Sequence, residues 1–441
     1  MAKITPFRGI VYNQAKAGSL TDLVCPPYDI ISQAAQQELY RKNAYNVIRL
    51  EYGLSSPGDT EGDNRYTRAA ALLDEWFKKG ILRQDNEPVL YIYEMAFKVG
   101  GITKKIRGFI GLVRIENYDS GIVKPHESTL SGPKTDRLNL LRVCKTSFSQ
   151  IFSLFSDPEG TVRDILAKTN SKPAMEVKSS DGVLHRIWPL SDARDIEGIV
   201  RELKNKPVFI ADGHHRYDTA LNYRNERRVA AGSFTGDEGY NFTAMFLVRL
   251  EDPGLTILPA HRALFNLNDF HPRRFEHALN RYFNMERIDF DMKSETKDLR
   301  TILDTMAHRA DHAHVFGMRV KGEHSYYLLN LRNEGDMDGL LAGKSPAYCR
   351  LDVSILHHLI IDKLLGVKME THKLGLNIEY IKDADEADKR VHDGVADIVF
   401  FMNPTKVREV KDVAEVGERM PQKATYFYPK LLTGLVMNRL D

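Results

Sequence analysis

The sequence predicts a mixed α/β fold, and three observations support this prediction. Short runs rich in β-branched and aromatic residues recur along the chain, and segments whose apolar residues have helical spacing lie between them. One of the β-rich runs passes through a single glycine directly into a helix. The 441 residues are 42% hydrophobic, so the chain can bury a large core. At roughly 100–200 residues per domain, this length suggests about two or three domains.

The first predicted element is a stiff turn ahead of the first helix. Two consecutive prolines precede Tyr28 and Asp29 and hold the backbone extended, so these two side chains are presented from a rigid loop. Tyr28 and Asp29 are therefore candidates to contact a substrate, and the alternative is that Tyr28 fills the core. Ser32 is placed to cap the helix that follows.

The later elements follow from periodicity and from glycine positions. Gly80 lies where a helix C-cap is preferred, and Gly100 with Gly101 separates two β-rich runs at hairpin spacing. The predicted helices cover residues 32–42, 64–79, 193–205, 352–365 and 405–416. The predicted strands cover residues 89–93, 107–113, 150–155, 242–250, 314–320, 325–331 and 396–402. Residues 207–221 are predicted to form a strand, a tight turn and a helix.

A polar stretch at residues 124–137 carries a high density of ionisable groups, and a helix is predicted to begin after it at Leu138. Glu127 in this stretch offers a carboxylate that could act as a base or position a substrate, with His126 beside it. Thr129 offers a hydroxyl for substrate binding. The stretch is therefore a candidate part of an active site.

Three further polar segments each have two alternative roles. Lys134 and Arg137 either neutralise phosphate charge or are solvated at the start of a helix. His261 and Arg262 either make a second anion contact or lie solvated or paired in a loop. The run at residues 423–430 either closes over a substrate or packs between domains.

The charge balance excludes a class of functions. The chain has 62 Lys+Arg and 60 Asp+Glu, a formal net charge of +2, and the two signs are interspersed. Proteins that coat a nucleic acid or a membrane surface usually carry a basic excess, so neither is an expected partner. The three cysteines form no CxxC pair, and neither a signal peptide nor a transmembrane run is evident. These features predict a soluble, cytoplasmic protein.

The strongest indication of function is the string Asp212-Gly213-His214-His215-Arg216 at the strand–helix junction. Amide groups at the start of a helix point outward, and the positive end of the helix dipole lies there, so the junction is an anion receptor. Gly213 allows a close backbone approach or a positive φ angle. The two imidazoles and the guanidinium fork add donors for the same anion. Phosphate is the anion that fits.

Asp212 has two alternative roles. It is either a helix N-cap, or a carboxylate that binds phosphate-bound Mg²⁺ or orients an acceptor hydroxyl. The neighbouring phosphate-binding residues favour the second role. A zinc site is not predicted, because no HExxH pattern or nearby thiolate pair is present and His357-His358 lie in an apolar helical context. P-loop, dinucleotide-binding glycine and nucleophile-elbow motifs are also absent from the sequence.

Six stretches together resemble the bacterial and archaeal family called domain of unknown function 1015. They are PPYDII at residues 26–31, PHEST at 125–129, DRL at 136–138, IADGHHRY at 210–217, PAHR at 259–262 and MPQKATYFYPKL at 420–431. The resemblance extends over nearly the whole chain, and most members of that family are uncharacterised.

The Asp-Gly-His-His-Arg string is also similar to the phosphate-binding box of the ParB/sulfiredoxin superfamily, which includes free-serine kinases that use ADP or ATP. This resemblance implies a ParB/sulfiredoxin-like nucleotide-binding catalytic region over residues 1–250 and a further mixed α/β domain over residues 251–441. It implies that nucleotide phosphates are contacted by Gly213, His214, His215 and Arg216. Asp212 would lie at the metal or the acceptor hydroxyl. Sulfinic-acid reduction is not expected, because Gly213 stands where sulfiredoxins have their catalytic cysteine.

The predicted function is a small-molecule kinase that transfers a phosphoryl group from ATP or ADP to a hydroxyl, with free L-serine as acceptor and Mg²⁺ as cofactor. The predicted catalytic residues are Asp212, Glu127 and His126, with Asp212 also the metal ligand, and the predicted substrate-binding residues are Tyr28, Asp29 and Thr129. Two alternatives stay open, a nucleotide-dependent regulatory or scaffolding protein without turnover and a nuclease or DNA-binding protein. The near-neutral charge argues against the second alternative. A homodimer is compatible with these predictions.

Overall fold

The structure, a computed structural model, describes residues 2–129, 131–267, 270–290, 295–368 and 377–441. Leu130, in the polar stretch, lies outside the described residues. The chain divides into two compact units. Unit 1 comprises residues 1–125, 129–256 and 429–441, and unit 2 comprises residues 126–128 and 257–428. The domain division expected from sequence, 1–250 and 251–441, is a single cut. It does not include the assignment of residues 126–128 to unit 2 or of residues 429–441 to unit 1.

Strands and helices alternate through the described residues, which confirms the predicted mixed α/β fold. The strands are β1 (Ile4–Thr5), β2 (Ile10–Tyr12), β3 (Leu82–Gln84), β4 (Leu90–Val99), β5 (Ile102–Arg114), β6 (Val123–Lys124), β7 (Thr146–Ser147), β8 (Ile151–Phe155), β9 (Met175–Lys178), β10 (Leu184–Leu190), β11 (Val208–Asp212), β12 (Phe242–Arg249), β13 (Thr256–Leu258), β14 (His261–Leu264), β15 (Phe283–Asp289), β16 (Val315–Val320), β17 (Ser325–Leu331), β18 (Ile378–Ile381), β19 (Ile398–Phe401), β20 (Tyr426–Tyr428) and β21 (Asn438–Arg439).

The α-helices are α1 (Gln14–Ala17), α2 (Leu20–Leu23), α3 (Gln33–Lys42), α4 (Ile48–Glu51), α5 (Arg65–Lys78), α6 (Ser131–Cys144), α7 (Thr161–Ala167), α8 (Ala193–Leu203), α9 (His214–Ala231), α10 (Pro272–Leu279), α11 (Glu295–Arg309), α12 (Gly335–Leu340), α13 (Pro346–Cys349), α14 (Asp352–Ser354), α15 (Ala384–His392) and α16 (Val407–Glu415). A π-helix, Ile355–Leu364, continues α14, and 3₁₀ turns cover Tyr28–Ile30, Tyr118–Ser120 and Gly239–Asn241. Within the described ranges, no helix has both the length and the apolar content needed to cross a bilayer.

Unit 1 is built on one mixed sheet with the strand order β6-β11-β8-β12-β5-β4-β10-β9, and β1 also pairs with β5. Strand β11 runs parallel to β6 and antiparallel to β8, whereas β12 runs parallel to β8. The pairs from β12 through to β9 are antiparallel. Strand β11 lies between β6 and β8, and its Val208, Phe209, Ile210 and Ala211 are at most 3% exposed. This buried strand, second from one edge of the sheet, leads directly to Asp212.

Helix α9 is anchored to unit 1 by its buried face. Tyr217 and Ala220 belong to the same hydrophobic cluster as Val208 and Ile210 of β11. The Tyr217 hydroxyl also donates to the carbonyl of Glu116, at 2.8 Å. A strand and a helix that share one core fix the geometry of the glycine turn between them.

Unit 2 contains an antiparallel sheet with the order β15-β17-β16-β19-β14-β18. Its core joins sheet residues such as Ala263 and Val399 to Ile302 of α11 and Val391 of α15. Strand β14 is internal to this sheet and begins with His261 and Arg262.

Local sequence signals located most of the early elements correctly. The Ser32 hydroxyl accepts from the Ala35 amide at the start of α3, as predicted for an N-cap. Strands β4 and β5 form the predicted hairpin, in which Gly100 and Gly101 have φ angles of 55° and 80°. These angles suit the two-residue turns that glycine favours in hairpins. Gly80 follows α5 with φ 67°.

Two predictions about helices differ from the structure. Helix α6 begins at Ser131, not at Leu138, so most of the second half of the polar stretch is helical. Polar residues and an early proline are tolerated in the first turn of a helix, and their polarity concealed the helix start. The predicted helix at residues 352–365 is present, but Ile355–Leu364 has π-helical hydrogen bonding, which apolar periodicity does not reveal.

Acid is expected to destabilise unit 1 through His185. Its ring is 1% exposed, with Nδ1 2.7 Å from the Tyr93 hydroxyl, and burial lowers its pKa to about 4. An unfolded histidine titrates near 6.5, so between pH 6.5 and 4 the unfolded chain binds a proton that the folded chain does not. The contribution of neutral His185 to the free energy of unfolding is therefore fully present above pH 6.5. It falls by roughly 2–3 kcal/mol as the pH falls towards 4.

Urea unfolding of wild type and of His185→Gln at pH 7.5 and pH 4.5 measures this contribution. The wild type is expected to lose more unfolding free energy than the variant between the two pH values. An equal loss in both proteins would show that His185 does not carry the effect.

Candidate functional site

The predicted strand, turn and helix at residues 207–221 are present as β11, the turn and α9. The register of β11 against β8 shifts between Ile210 and Asp212, so Ala211 forms a β-bulge directly before the turn. Gly213 has φ 93°, a conformation that costs least for a residue without Cβ. The bulge and this glycine together set the direction of Asp212 and of the first turn of α9.

Asp212 forms ion pairs with two cations. Lys430 Nζ lies 2.6 Å from its Oδ1, and Arg216 Nη2 lies 2.9 Å from its Oδ2. The three side chains are between 11% and 20% exposed. Burial alone would raise the pKa of Asp212, but the Lys430 ammonium and the Arg216 guanidinium outweigh it and hold that pKa well below its usual range. The carboxylate is therefore ionised at neutral pH, and the charges of the three groups sum to about +1.

Arg216 folds back over the glycine turn. Its guanidinium donates to the carbonyl of Gln150 as well as to Asp212. A Cβ on Gly213 would lie 2.8 Å from Arg216 Nε, so only glycine leaves room for the guanidinium. A guanidinium has five N–H donors in a rigid plane, so it can hold these two acceptors and still bind an anion.

The first turn of α9 presents backbone donors beside these side chains. The first bond of the helix runs from the Tyr217 amide to the carbonyl of Gly213, at 3.0 Å. The amides of residues 214–216 precede it and have no acceptor within the helix. His214 is 7% exposed, whereas His215 is half-buried, so the two adjacent imidazoles differ in their access to solvent.

The donor set does not fit a Mg²⁺ ion bound directly by Asp212. Each of its carboxylate oxygens already accepts from a cationic group, Lys430 on one and Arg216 on the other. Mg²⁺ requires near-octahedral oxygen coordination, and two adjacent cations oppose its charge. The parts of the chain that the structure describes contain no group of three or more His, Cys, Asp or Glu side chains arranged to hold a metal. The metal-ligand role predicted for Asp212 therefore lacks support in the geometry.

A second buried carboxylate, Asp218, lies further along α9. It accepts from the Tyr118 hydroxyl at 2.5 Å and from the Thr129 hydroxyl at 2.6 Å, and Lys134 Nζ lies 3.4 Å away. Thr129 and Lys134, both proposed from sequence as ligand contacts, thus meet at one carboxylate. Asp218 is four residues after His214, a spacing that puts both on one helix face and could have identified it.

The Tyr28 ring packs on the guanidinium of Arg137, 4.3 Å from ring centroid to Cζ, and Asp29 is exposed. Arg137 is 6% exposed, pairs with Asp136 at 2.5 Å and lies 3.4 Å from Glu51. The expectation that Arg137 is solvated is wrong, because α6 begins earlier than predicted and turns this side chain into the interior. Tyr28 belongs to the same buried cluster.

His126 and Glu127 belong to unit 2 and contact its C-terminal loop. His126 is fully buried, and its Nε2 lies 2.9 Å from the Thr425 hydroxyl. The Lys423 amide donates to Glu127 Oε1 at 3.0 Å, and the Met420 amide donates to the carbonyl of His126 at 2.7 Å. Parts of two of the family-like stretches, residues 126–127 and 420–425, therefore meet in this unit.

Arg262 contacts the same loop from strand β14. It is 1% exposed and donates to the carbonyl of Lys423 at 3.1 Å and to His357 Nε2 at 3.4 Å. Burial lowers the pKa of Arg262 to about 10, although Glu127 favours its charged form at longer range. The expectation of a solvated or loop position is wrong, because β14 is internal to its sheet.

The structure assigns the predicted residues to separate groups. In unit 1 it brings together Asp212, Gly213, His214, His215 and Arg216, and it adds Lys430. Also in unit 1, the Thr129 hydroxyl donates to Asp218, and the Tyr28 ring packs on the Arg137 guanidinium. His126 and Glu127 belong to unit 2. Lys430 is 218 residues from Asp212, so no local sequence pattern could have paired them.

Replacing Gly213 with alanine is expected to disrupt the turn. The positive φ costs a non-glycine residue about 1–2 kcal/mol, and the new Cβ would also displace Arg216. Affinity for ADP, measured by calorimetry, should fall by about tenfold or more if the displaced guanidinium is a phosphate donor.

Gly232→Ala is the matched control for this change. Gly232 follows the other end of α9 with φ 71°, and a Cβ there would meet no atom within 4 Å. Gly232→Ala should therefore lower the stability of the protein through the strained φ angle but leave ADP affinity unchanged. Equal ADP affinity in the two variants would contradict the role given to Arg216.

Comparisons with known proteins give one family and several distant structural likenesses. A family model described as "Protein of unknown function (DUF1015)" matches residues 4–354. No curated protein matches the sequence. A free serine kinase in complex with AMP is 13% identical, with 69% of this chain and 83% of that chain covered and a TM-score of 0.31. SbnI with a C-terminal truncation, from Staphylococcus aureus, is 11% identical, with 74% and 85% covered and a TM-score of 0.32. A conserved hypothetical protein from Pyrococcus furiosus is 14% identical, with 69% and 87% covered and a TM-score of 0.28.

Proposed function

This chain belongs to the DUF1015 family, and on that premise we propose that it is a nucleotide-dependent kinase acting on a small metabolite. It binds the phosphates of ATP or ADP at the first turn of α9 and transfers a phosphoryl group to a hydroxyl, that of free L-serine. The observation that carries the proposal is the cluster of Asp212, Arg216 and Lys430 around a glycine turn at the start of an 18-residue helix.

The cluster has the charge and the donors that a phosphate chain needs. Its surplus of about one positive charge adds to the positive end of the helix dipole, and both favour an anion. Gly213 lets phosphate oxygens approach the amides of the first turn closely. The hydrogen bonds of Arg216 to Asp212 and to the Gln150 carbonyl fix the position of its guanidinium. Its other N–H donors are proposed to bind the phosphates.

Asp212 is proposed to orient the acceptor. Its low pKa makes it a poor proton acceptor, but each of its oxygens has a second lone pair that can accept from a hydroxyl. The acceptor oxygen attacks the terminal phosphorus, and the bond from that phosphorus to the bridging oxygen breaks. The hydroxyl proton passes to a base, and Glu127, with His126 beside it, is the proposed base on sequence grounds.

Product analysis tests the proposal. The protein is incubated with ATP or ADP, in Mg²⁺ buffer, together with L-serine, L-threonine or glycerol, and phosphorylated products are identified by mass spectrometry. We expect O-phosphoserine from wild type and a turnover lower by about tenfold or more for Glu127→Gln. Asp192→Asn is the control, because Asp192 caps α8 outside the cluster. The absence of any phosphorylated product and of nucleotide binding would reject the proposal.

A second candidate function is nucleotide-dependent regulation without turnover. The observation that favours it is the engagement of both Asp212 oxygens by cations, which suits binding of an anion better than metal-assisted chemistry. This candidate predicts nucleotide binding with a change in association state and no product. Sedimentation with and without ADP, alongside the product assay, separates the two functions.

A further inference from the structure

A cavity of about 50 Å³ lies inside unit 1, beneath α9. Its apolar walls include Phe148, Tyr223 and Phe242, and its polar lining includes Glu51 and Arg216. The volume is enough for a few water-sized groups, so an occupant would have few non-hydrogen atoms. None of the residues proposed from sequence as substrate contacts lines this cavity.

Two threonines of the cavity lining carry buried hydroxyls without a partner among the described residues. Thr146 and Thr219 are 2% and 3% exposed, and neither Oγ1 has a hydrogen-bond partner among the described residues. Leaving a buried hydroxyl unsatisfied is costly, and native interiors avoid it. Two such groups on residues that line one cavity favour an occupant that can hydrogen-bond with them.

Glu51 is a buried carboxylate with weak partners. It is 4% exposed, and its Oε1 has contacts of 3.4 Å both with Arg137 Nη1 and with the Ser149 hydroxyl. Charge-assisted hydrogen bonds are normally 2.7–2.9 Å long, so both contacts are long for a buried charge. A primary ammonium group, which has three donors, would satisfy this carboxylate better.

Guanidinium groups complete the lining. Arg137 and Arg216 both border the cavity. The Nε and Nη2 groups of Arg137 already donate to Asp136, whereas Arg216 has more N–H donors than the two that bind Gln150 and Asp212. The Glu51 carboxylate and the Arg216 guanidinium in a small space suit a molecule that carries both an ammonium and a carboxylate. Such a zwitterion is neutral overall and adds no net charge to the interior.

We propose that this cavity binds a small zwitterionic α-amino acid, with its ammonium on Glu51 and its polar groups on Thr146 and Thr219. Arg216 connects the cavity to the turn, because the same guanidinium donates to Asp212 and borders the cavity. The amino acid would be the acceptor of the kinase, and this part of the proposal rests on the proposed function. Binding of the amino acid itself does not require turnover.

Calorimetric titration of the full chain with L-serine tests the proposal, without nucleotide and with saturating AMP, which has no transferable terminal phosphate. We expect saturable binding under at least one condition. Glycolate, which lacks the ammonium, and ethanolamine, which lacks the carboxylate, should each bind at least about tenfold more weakly. No binding of L-serine under either condition, or equal binding of all three compounds, would overturn the proposal.

Variants locate the site. Glu51→Gln and Thr219→Val are each expected to weaken L-serine binding by about tenfold or more, whereas Thr433→Val should not. Thr433 is the control because it is fully buried in the same unit but does not line the cavity. Thr219→Val removes an unpartnered hydroxyl, so it should fold even if Glu51→Gln does not. Unchanged affinity in Thr219→Val would overturn the assignment.

Titration of the same proteins with ADP separates this proposal from the proposed function. L-serine binding that depends on the cavity, in a protein that binds neither ADP nor ATP and forms no phosphorylated product, would support the amino-acid site and reject the kinase. ADP binding and product formation with unchanged L-serine affinity in the cavity variants would reject the site and retain the kinase.

Discussion

Replacing Asp212 with asparagine is expected to lower phosphoryl transfer by about 100-fold or more while ADP affinity is retained or increased. The carboxylate offsets one of the two positive charges of Lys430 and Arg216, which lie 2.6 Å and 2.9 Å away. Asparagine keeps the shape but removes that negative charge, so the turn becomes more positive and still attracts phosphate. It also loses the carboxylate that is proposed to orient the acceptor hydroxyl.

Arg216→Ala should behave differently, because it removes the proposed phosphate donor and leaves Asp212 paired with Lys430. ADP affinity and turnover should both fall by about tenfold or more. Arg194→Ala on α8 is the control, since that arginine is exposed. Steady-state kinetics and calorimetry measure the two effects. Wild-type turnover in Asp212→Asn, or a loss of ADP affinity equal to that of Arg216→Ala, would contradict the roles assigned to the two residues.

Replacing Arg137 with methionine is expected to lower the unfolding free energy by about 3–5 kcal/mol. The side chain is 6% exposed, pairs with Asp136, donates to the carbonyl of Glu51 at 2.6 Å and lies on the Tyr28 ring. Methionine fills much of the volume, but it leaves the buried carboxylate of Glu51 without its cation and leaves Asp136 with Arg65 alone.

Arg142→Met on the same helix provides the matched control for this change. Arg142 pairs with Glu226, but both side chains are more than 40% exposed. Exposed pairs contribute about 0–1 kcal/mol, so this variant should unfold nearly as wild type does. Urea unfolding of the three proteins at pH 7.5 measures the difference. A loss below about 1 kcal/mol in Arg137→Met would show that the buried pair does not stabilise unit 1.

The part of the site that lies within one stretch of sequence could be predicted. A buried strand, a glycine and a polar helix start specify β11, Gly213 and α9, because caps and periodicity act over a few residues. The β-bulge at Ala211 could not be predicted in this way, because it depends on register against β8. The bulge nevertheless sets the direction of Asp212.

The partners of these residues depend on contacts between distant segments. Lys430 reaches Asp212 from the C-terminal segment, and in unit 2 Arg262 reaches the loop at Lys423 from β14. Tertiary packing brings these groups together, and nothing in their neighbouring sequence encodes it. The prediction that Arg137 is solvated failed for a related reason. A polar helix start resembles a loop in composition, and the burial of Arg137 depends on where α6 packs.

A crystal structure of the protein soaked with ADP tests the central claim most directly. The account predicts that the diphosphate lies at the first turn of α9, with its oxygens within hydrogen-bonding distance of the amides of residues 214–216 and of the Arg216 guanidinium. A nucleotide bound elsewhere in unit 1 or in unit 2, or a turn that stays without nucleotide at millimolar ADP, would contradict it.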